Sequence, residues 1–186
     1  MSCVVGYNYK SNIYMAYDSI EFSPDDNTYR ITPVDKCFIK NNILFGVVGS
    51  IRAASLIKYK FKIPNRGKIK DDHEYLSTVF VDNLIKLLTD HGCVNKSDSE
   101  DKYIANCNLL IGFHKKLYEI FQDFYVGEII DPPYEAIGSN GSYAMGAMYA
   151  LHHNEIYKVE EKLMMSLEAV KRFSTTICNP FKILRI

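Results

Sequence analysis

A few places along the chain carry residue types from which a reaction centre can be built. Ser2 sits immediately behind Met1, and a small residue in that place favours removal of the initiator methionine. A serine so freed holds a hydroxyl and an α-amine on one residue, and an amine with a pKa of about 8 can take the hydroxyl's proton near neutral pH. Asp18, in Met15-Ala-Tyr-Asp18-Ser19, closes an apolar stretch. A carboxylate there can hold a cation or an amine, although aspartate also ends strands because it favours turns. Lys36 opens Lys36-Cys-Phe-Ile-Lys40. A cation beside a nucleophile favours its deprotonated form; a plain surface lysine is the other reading. Gly46-Val-Val-Gly49-Ser50 and Gly138-Ser139-Asn-Gly141 are small-residue turns. A backbone N–H at Gly49, in the first of them, can face a developing negative charge, and glycine also fits that sharp strand-to-helix turn for steric reasons alone. Cys3 is intrinsically a stronger nucleophile than Ser2, but its place in an apolar stretch reads as a core strand residue.

The bulk numbers narrow the field. The 186 residues are 47% hydrophobic, enough for one compact domain, residues 1–186, with a sizeable core. Basic and acidic residues balance at 22 each, so no nucleic-acid partner is expected; the run Lys58-Tyr-Lys-Phe-Lys62 reads as the solvated end of a helix. The cysteines, Cys3, Cys37, Cys93, Cys107 and Cys178, are odd in number and form no CxxC. Neither a disulfide framework nor a metal site is expected from them, and no cofactor is called for. There is no signal pattern at the N-terminus and no apolar run of membrane-spanning length. The chain therefore reads as a cytoplasmic protein with no membrane partner.

The elements that would position these residues follow from periodicity. Cys3–Tyr9 and Ile13–Ala16 form a hairpin across a turn at Lys10–Asn12, and a polar loop runs from about Ser23 to Pro33. A second hairpin joins Cys37–Lys40 to Ile43–Val48 across Asn41-Asn42, a pair that tolerates the positive φ of tight turns. Ser50 can cap a helix broken at Pro64. Apolar residues at three- and four-residue spacing predict a helix over 72–90, closed by Gly92. A charged loop over 95–101 precedes strands over 106–113 and 117–121. Tyr134–Ile137 is a short strand, with helices over 142–152 and 154–173 and a terminal strand from Phe181. Strand runs separated by helix pairs bury all their apolar faces in two stacked sheets, each covered by a helix pair. The expected class is α+β, a four-layer αββα sandwich.

This order of elements resembles the proteasome β subunits, the bacterial heat-shock-locus peptidase and the bacterial ancestral-β-subunit proteins, all N-terminal-nucleophile hydrolases. The resemblance covers nearly the whole chain. It implies Ser2, in register with Asp18, as nucleophile once Met1 is gone, in a family that mostly uses threonine. It implies Asp18 and Lys36 as charged support, the lysine matched only with a gap; an ungapped register places Val34 there, and Lys40 is the other lysine nearby. It implies Gly49 as an oxyanion donor. In Ala136-Ile-Gly-Ser139-Asn-Gly-Ser-Tyr-Ala144 it implies Ser139 as a hydrogen-bonding residue near the amine; a cap at Ser142 is the structural alternative.

The match breaks after the last long helix. The family has an aspartate there, near a serine; this chain has Lys171-Arg-Phe-Ser-Thr-Thr-Ile-Cys178, with Ser174 or Thr175 in the region and no carboxylate. Two readings result. One is a peptidase cleaving peptides or unfolded protein, assembled as a homo-oligomeric ring or related assembly, with any ATP-driven unfoldase a separate protein because no GxxxxGK[ST] loop occurs. The other is a catalytically inactive proteasome-like subunit with an assembly or binding role.

Overall fold

A computed structural model describes residues 2–23, 28–32, 34–96, 103–175 and 177–186. Its strands form two main sheets. One has the order β12-β1-β2-β13, from β1 (Cys3–Tyr9), β2 (Asn12–Asp18), β12 (Tyr134–Gly138) and β13 (Phe181–Arg185). The other has the order β11-β10-β9-β6-β5, from β5 (Cys37–Lys40), β6 (Ile43–Gly49), β9 (Cys107–Phe113), β10 (Lys116–Ile120) and β11 (Val126–Ile129). All pairings within them are antiparallel. The tight turns work as hairpin sterics require: Lys10-Ser11, Asn41-Asn42 and His114-Lys115 each place two successive residues at positive φ, the geometry whose twist matches the flanking strands.

Three apolar layers separate four structural ones. Between the sheets lie Val4, Ile13, Met15, Tyr17, Leu44, Val48 and Leu110. Residues alternating with these face outward. Cys3, Val5, Tyr7 and Ala16 pack under α4 (Gly141–Leu151) and α5 (Val159–Phe173), whose Leu163, Leu167 and Val170 meet them. Phe45, Val47, Leu109 and Ile111 pack under α1 (Ile51–Tyr59), α2 (Asp72–Tyr75) and α3 (Val81–Asp90). Both faces of the central strands are covered, which is why they read as unbroken apolar runs rather than alternating ones. Gly46 lets the sheets close up: a Cβ there would lie 2.8 Å from Val4 Cγ1. The architecture is the αββα sandwich that the element order predicts.

Several local expectations change. Ser50 does cap α1, its Oγ accepting from Ala53 N at 3.2 Å. The helix over 72–90 is continuous but passes through a π-helical segment, Leu76–Phe80, between α2 and α3. The polar stretch expected as a loop from Ser23 carries strands on both sides: β3 (Ile20–Ser23) pairs with β4 (Thr28–Ile31), with Glu21 opposite Arg30 in an ion pair at 3.0 Å. Residues 24–27 and 33 of that stretch lie outside the described residues. Likewise β7 (Val94–Lys96) pairs with β8 (Tyr103–Ala105), while 97–101 of the charged loop lie outside the described residues. The last long helix begins at Val159, not Asn154. There the Asn154 side chain accepts from Ile156 N at 2.8 Å, a local bond that competes with helix formation. Ser142 lies within α4 rather than capping it; the cap position is Asn140, in left-handed geometry at φ 62°.

Candidate active site

Ser2 stands at the start of β1, 8% exposed. Its carbonyl accepts a hydrogen bond from Ser139 N at 2.9 Å, which ties the start of β1 to the turn that follows β12. The next N–H, that of Cys3, donates to Asp18 Oδ1 at 3.0 Å. Asp18 is fully buried at the end of β2, and its other oxygen, Oδ2, accepts from Ile20 N at 3.3 Å and from Lys36 Nζ at 2.5 Å. Lys36 is itself 5% exposed, and its carbonyl accepts from Val47 N at 2.8 Å, so the lysine is anchored to β6 just ahead of Gly49. Burial pulls the Lys36 ammonium below its ordinary range, and the Asp18 carboxylate pushes back. A buried charge is tolerated when paired and hydrogen-bonded; both Asp18 oxygens are engaged here.

Two glycines shape the rim. Gly49 ends β6 at φ +99°, and a Cβ there would stand 2.4 Å from Asn106 O. Gly138 ends β12 at φ +101°, and a Cβ there would stand 2.1 Å from Ser2 O. Both the backbone angle and the space exclude a side chain. Between these turns opens a cleft of about 490 Å³, bounded by Ser2, Gly49, Cys107, Asn108, Gln122 and Ser139.

The structure thus gathers Ser2, Asp18, Lys36, Gly49 and Ser139 at one end of the sandwich. Lys40 is elsewhere: its Nζ donates to the carbonyls of Ile57 and Lys58 at 3.3 and 2.9 Å. Cys3 turns its side chain to the α4–α5 layer. Burial, with the Asp18 charge behind it, pushes that thiol up to about 12, so it is protonated at neutral pH and a poor nucleophile. After α5, Ser174 Oγ accepts from Asn140 Nδ2 at 2.9 Å; Thr175 is exposed and Thr176 lies outside the described residues. Asn140 escaped the sequence reading, and only its left-handed backbone marks it. Asn108 and Gln122 were also missed, because a lone polar residue in an apolar strand or a turn gives no spacing signal. Behind Asn108, whose Nδ2 donates to Glu119 Oε1 at 3.4 Å, Glu119 is 6% exposed. Burial, aided by Glu135, raises its carboxyl to about 7. Among the described residues no cluster of three or more metal-ligating side chains occurs.

No protein-family model and no curated protein matches the sequence. Solved structures do match. The BPH protein of Thiobacillus denitrificans in complex with epoxomicin is 17% identical, with a TM-score of 0.82 over 99% of this chain and 97% of that one. The eukaryotic HslV of Trypanosoma brucei is 15% identical, with a TM-score of 0.67 over 98% of each chain. The Anbu complex of Pseudomonas aeruginosa, a helical assembly, is 11% identical, with a TM-score of 0.69 over all of this chain and 81% of that one. At these identities the likeness is one of fold. The fold is that of the proteasome-like N-terminal-nucleophile hydrolases, with HslV and the ancestral β-subunit proteins as neighbours.

Proposed function

We propose that the chain, as one proteasome-β-like domain over residues 1–186, is a peptidase that uses Ser2 as its nucleophile once Met1 has been removed. The observation that carries this reading is the buried Asp18–Lys36 pair bound one residue from Ser2, with Asp18 Oδ1 taking the Cys3 N–H at 3.0 Å and Oδ2 taking Lys36 Nζ at 2.5 Å. An enclosed pair in which every carboxylate oxygen is engaged fixes charge beside the chain terminus without solvent to screen it.

In this mechanism the Ser2 α-amine takes the hydroxyl proton as Oγ attacks the carbonyl carbon of a peptide bond. The Lys36 cation favours the deprotonated oxygen. The carbonyl oxygen turns its developing charge toward the backbone at Gly49. The amine then delivers its proton to the leaving nitrogen, and an ester on Ser2 remains. Water, deprotonated by the same amine, hydrolyses the ester and restores Ser2. Ser139 holds Ser2 in place through its N–H. Substrates of this class are peptides or unfolded protein. The neighbouring Anbu complex is a helical assembly, which favours a homo-oligomeric ring or related assembly for this chain in the cytoplasm, with any ATP-driven unfoldase a separate protein.

A second reading rests on one observation. Among the described residues that follow α5, Ser174 meets Asn140 where the family places an aspartate. A hydroxyl keeps a hydrogen bond but supplies no charge, and this favours an inactive proteasome-like subunit with an assembly or binding role.

Intact mass and N-terminal sequencing first establish whether Met1 is gone. Ser2→Ala then drops peptide hydrolysis by about 10³-fold or more and abolishes labelling by epoxomicin, the ligand of the Thiobacillus protein. Unchanged turnover in Ser2→Ala sinks the assignment. A Met1-free wild type that neither turns over nor takes up epoxomicin supports the second reading.

A further inference from the structure

Just past Ser2, the strand β1 runs from Cys3 to Tyr9, about 20 Å away at the other end of the sandwich. There a second lysine is buried. Lys162, in the first turns of α5, is 3% exposed. Its Nζ donates to His152 O at 3.0 Å and lies 5.8 Å from the centre of the Tyr9 ring. Lys10 Nζ stands 5.1 Å from the same ring. Among the described residues no carboxylate reaches ion-pair distance of either ammonium. An ammonium has three donors, and one of those on Lys162 is used. Lysine is almost never this buried without a counter-charge. Lys162 lines a cleft of about 360 Å³ with Tyr7, Tyr9, Lys10, His152 and His153. The carboxylates along the same cleft, Asp131 and Glu155, belong to exposed residues.

We propose that this cleft binds a compact oxyanion, a carboxylate or phosphate group, received by Lys162 and closed over by Lys10. The anion supplies the counter-charge that the protein leaves out and takes up the free donors of Lys162. The Tyr9 ring keeps both ammoniums in place through its face. The site is independent of Ser2 and stands whether or not the chain is a peptidase.

The test is thermal unfolding of the full chain, because a ligand that binds only the folded state raises Tm. Inorganic phosphate, a short peptide with a free C-terminal carboxylate and the same peptide as its amide are compared with chloride at matched ionic strength. Wild type and Ser2→Ala are expected to rise with phosphate or the free carboxylate beyond chloride and the amide. Lys162→Met is expected to lose the rise. A response to phosphate alone assigns a free anion, and a response to the peptide carboxylate assigns a chain end. No rise in wild type, or an equal rise in Lys162→Met, overturns the site. Should Lys162→Met fail to fold, Lys10→Ala, at an exposed position, decides instead: an undiminished rise there overturns it equally.

Discussion

The two ends of the sandwich each bury a lysine, and they satisfy it differently. Lys36 meets a carboxylate whose oxygens also hold two backbone N–H groups. Lys162 meets one carbonyl and the face of a ring. The first arrangement is closed: removing either partner strands a charge in the interior. The second is open: the ammonium can lose its neighbours or gain one without leaving an opposite charge behind. A closed pair suits a fixed field around a reacting group, and an open ammonium suits a ligand that comes and goes. Glu119 lies between these extremes, with one neutral hydrogen bond from Asn108 and a second carboxylate, Glu135, on the facing sheet.

The largest effect expected is at the closed pair. Lys36→Met leaves Asp18 charged and buried and costs about 3–5 kcal/mol of stability, read by chemical denaturation. The double variant Asp18→Asn with Lys36→Met recovers much of that loss if the cost is electrostatic; a simple sum of the two single losses would break the comparison. Glu119 gives an intermediate effect with a sign set by its raised pKa. Between about 4.5 and 7 the folded protein holds a proton on Glu119 that the unfolded chain releases, so stability falls as pH rises through that window. Glu119→Gln flattens the fall, measured as unfolding free energy against pH. The smallest effect is at the open lysine. Without ligand, Lys162→Met changes stability by no more than about 1 kcal/mol in either direction, since a methionine of similar length replaces an unpaired charge. A loss as large as that of Lys36→Met would erase the distinction between the two ends.

The sandwich was legible because its cause is in the sequence. Strands covered on both faces need continuous apolar residues, and β1, β6 and β9 have them. The short ribbons were not legible. β3–β4 and β7–β8 are polar and shallow, and Glu21 opposite Arg30 shows no pattern until the strands are paired. At the Ser2 end the residue types were legible but their contacts were not. Asp18 and Lys36 are 18 positions apart and meet only because the end of one sheet closes over the start of a strand in the other. The family resemblance matches Lys36 only with a gap, with Val34 and Lys40 as its rivals; packing sends Lys36 inward and leaves Lys40 on the carbonyls of α1. Lys162 is hidden in the sequence for the opposite reason. It falls one position before Leu163 on the buried stripe of α5, and a charged residue on that stripe looks like a surface residue until the helix is docked.

Gly49 and Gly138 have a consequence for how this molecule can vary. Each holds a left-handed backbone angle with another residue's carbonyl oxygen where a side chain would begin. In a saturation library screened only for soluble, folded protein, and blind to any reaction, both columns should return glycine and nearly nothing else, while Ser139 beside them accepts other small residues. The outline of the cleft is therefore inherited with the fold: a lineage that abandoned the chemistry would still carry the shape of the opening.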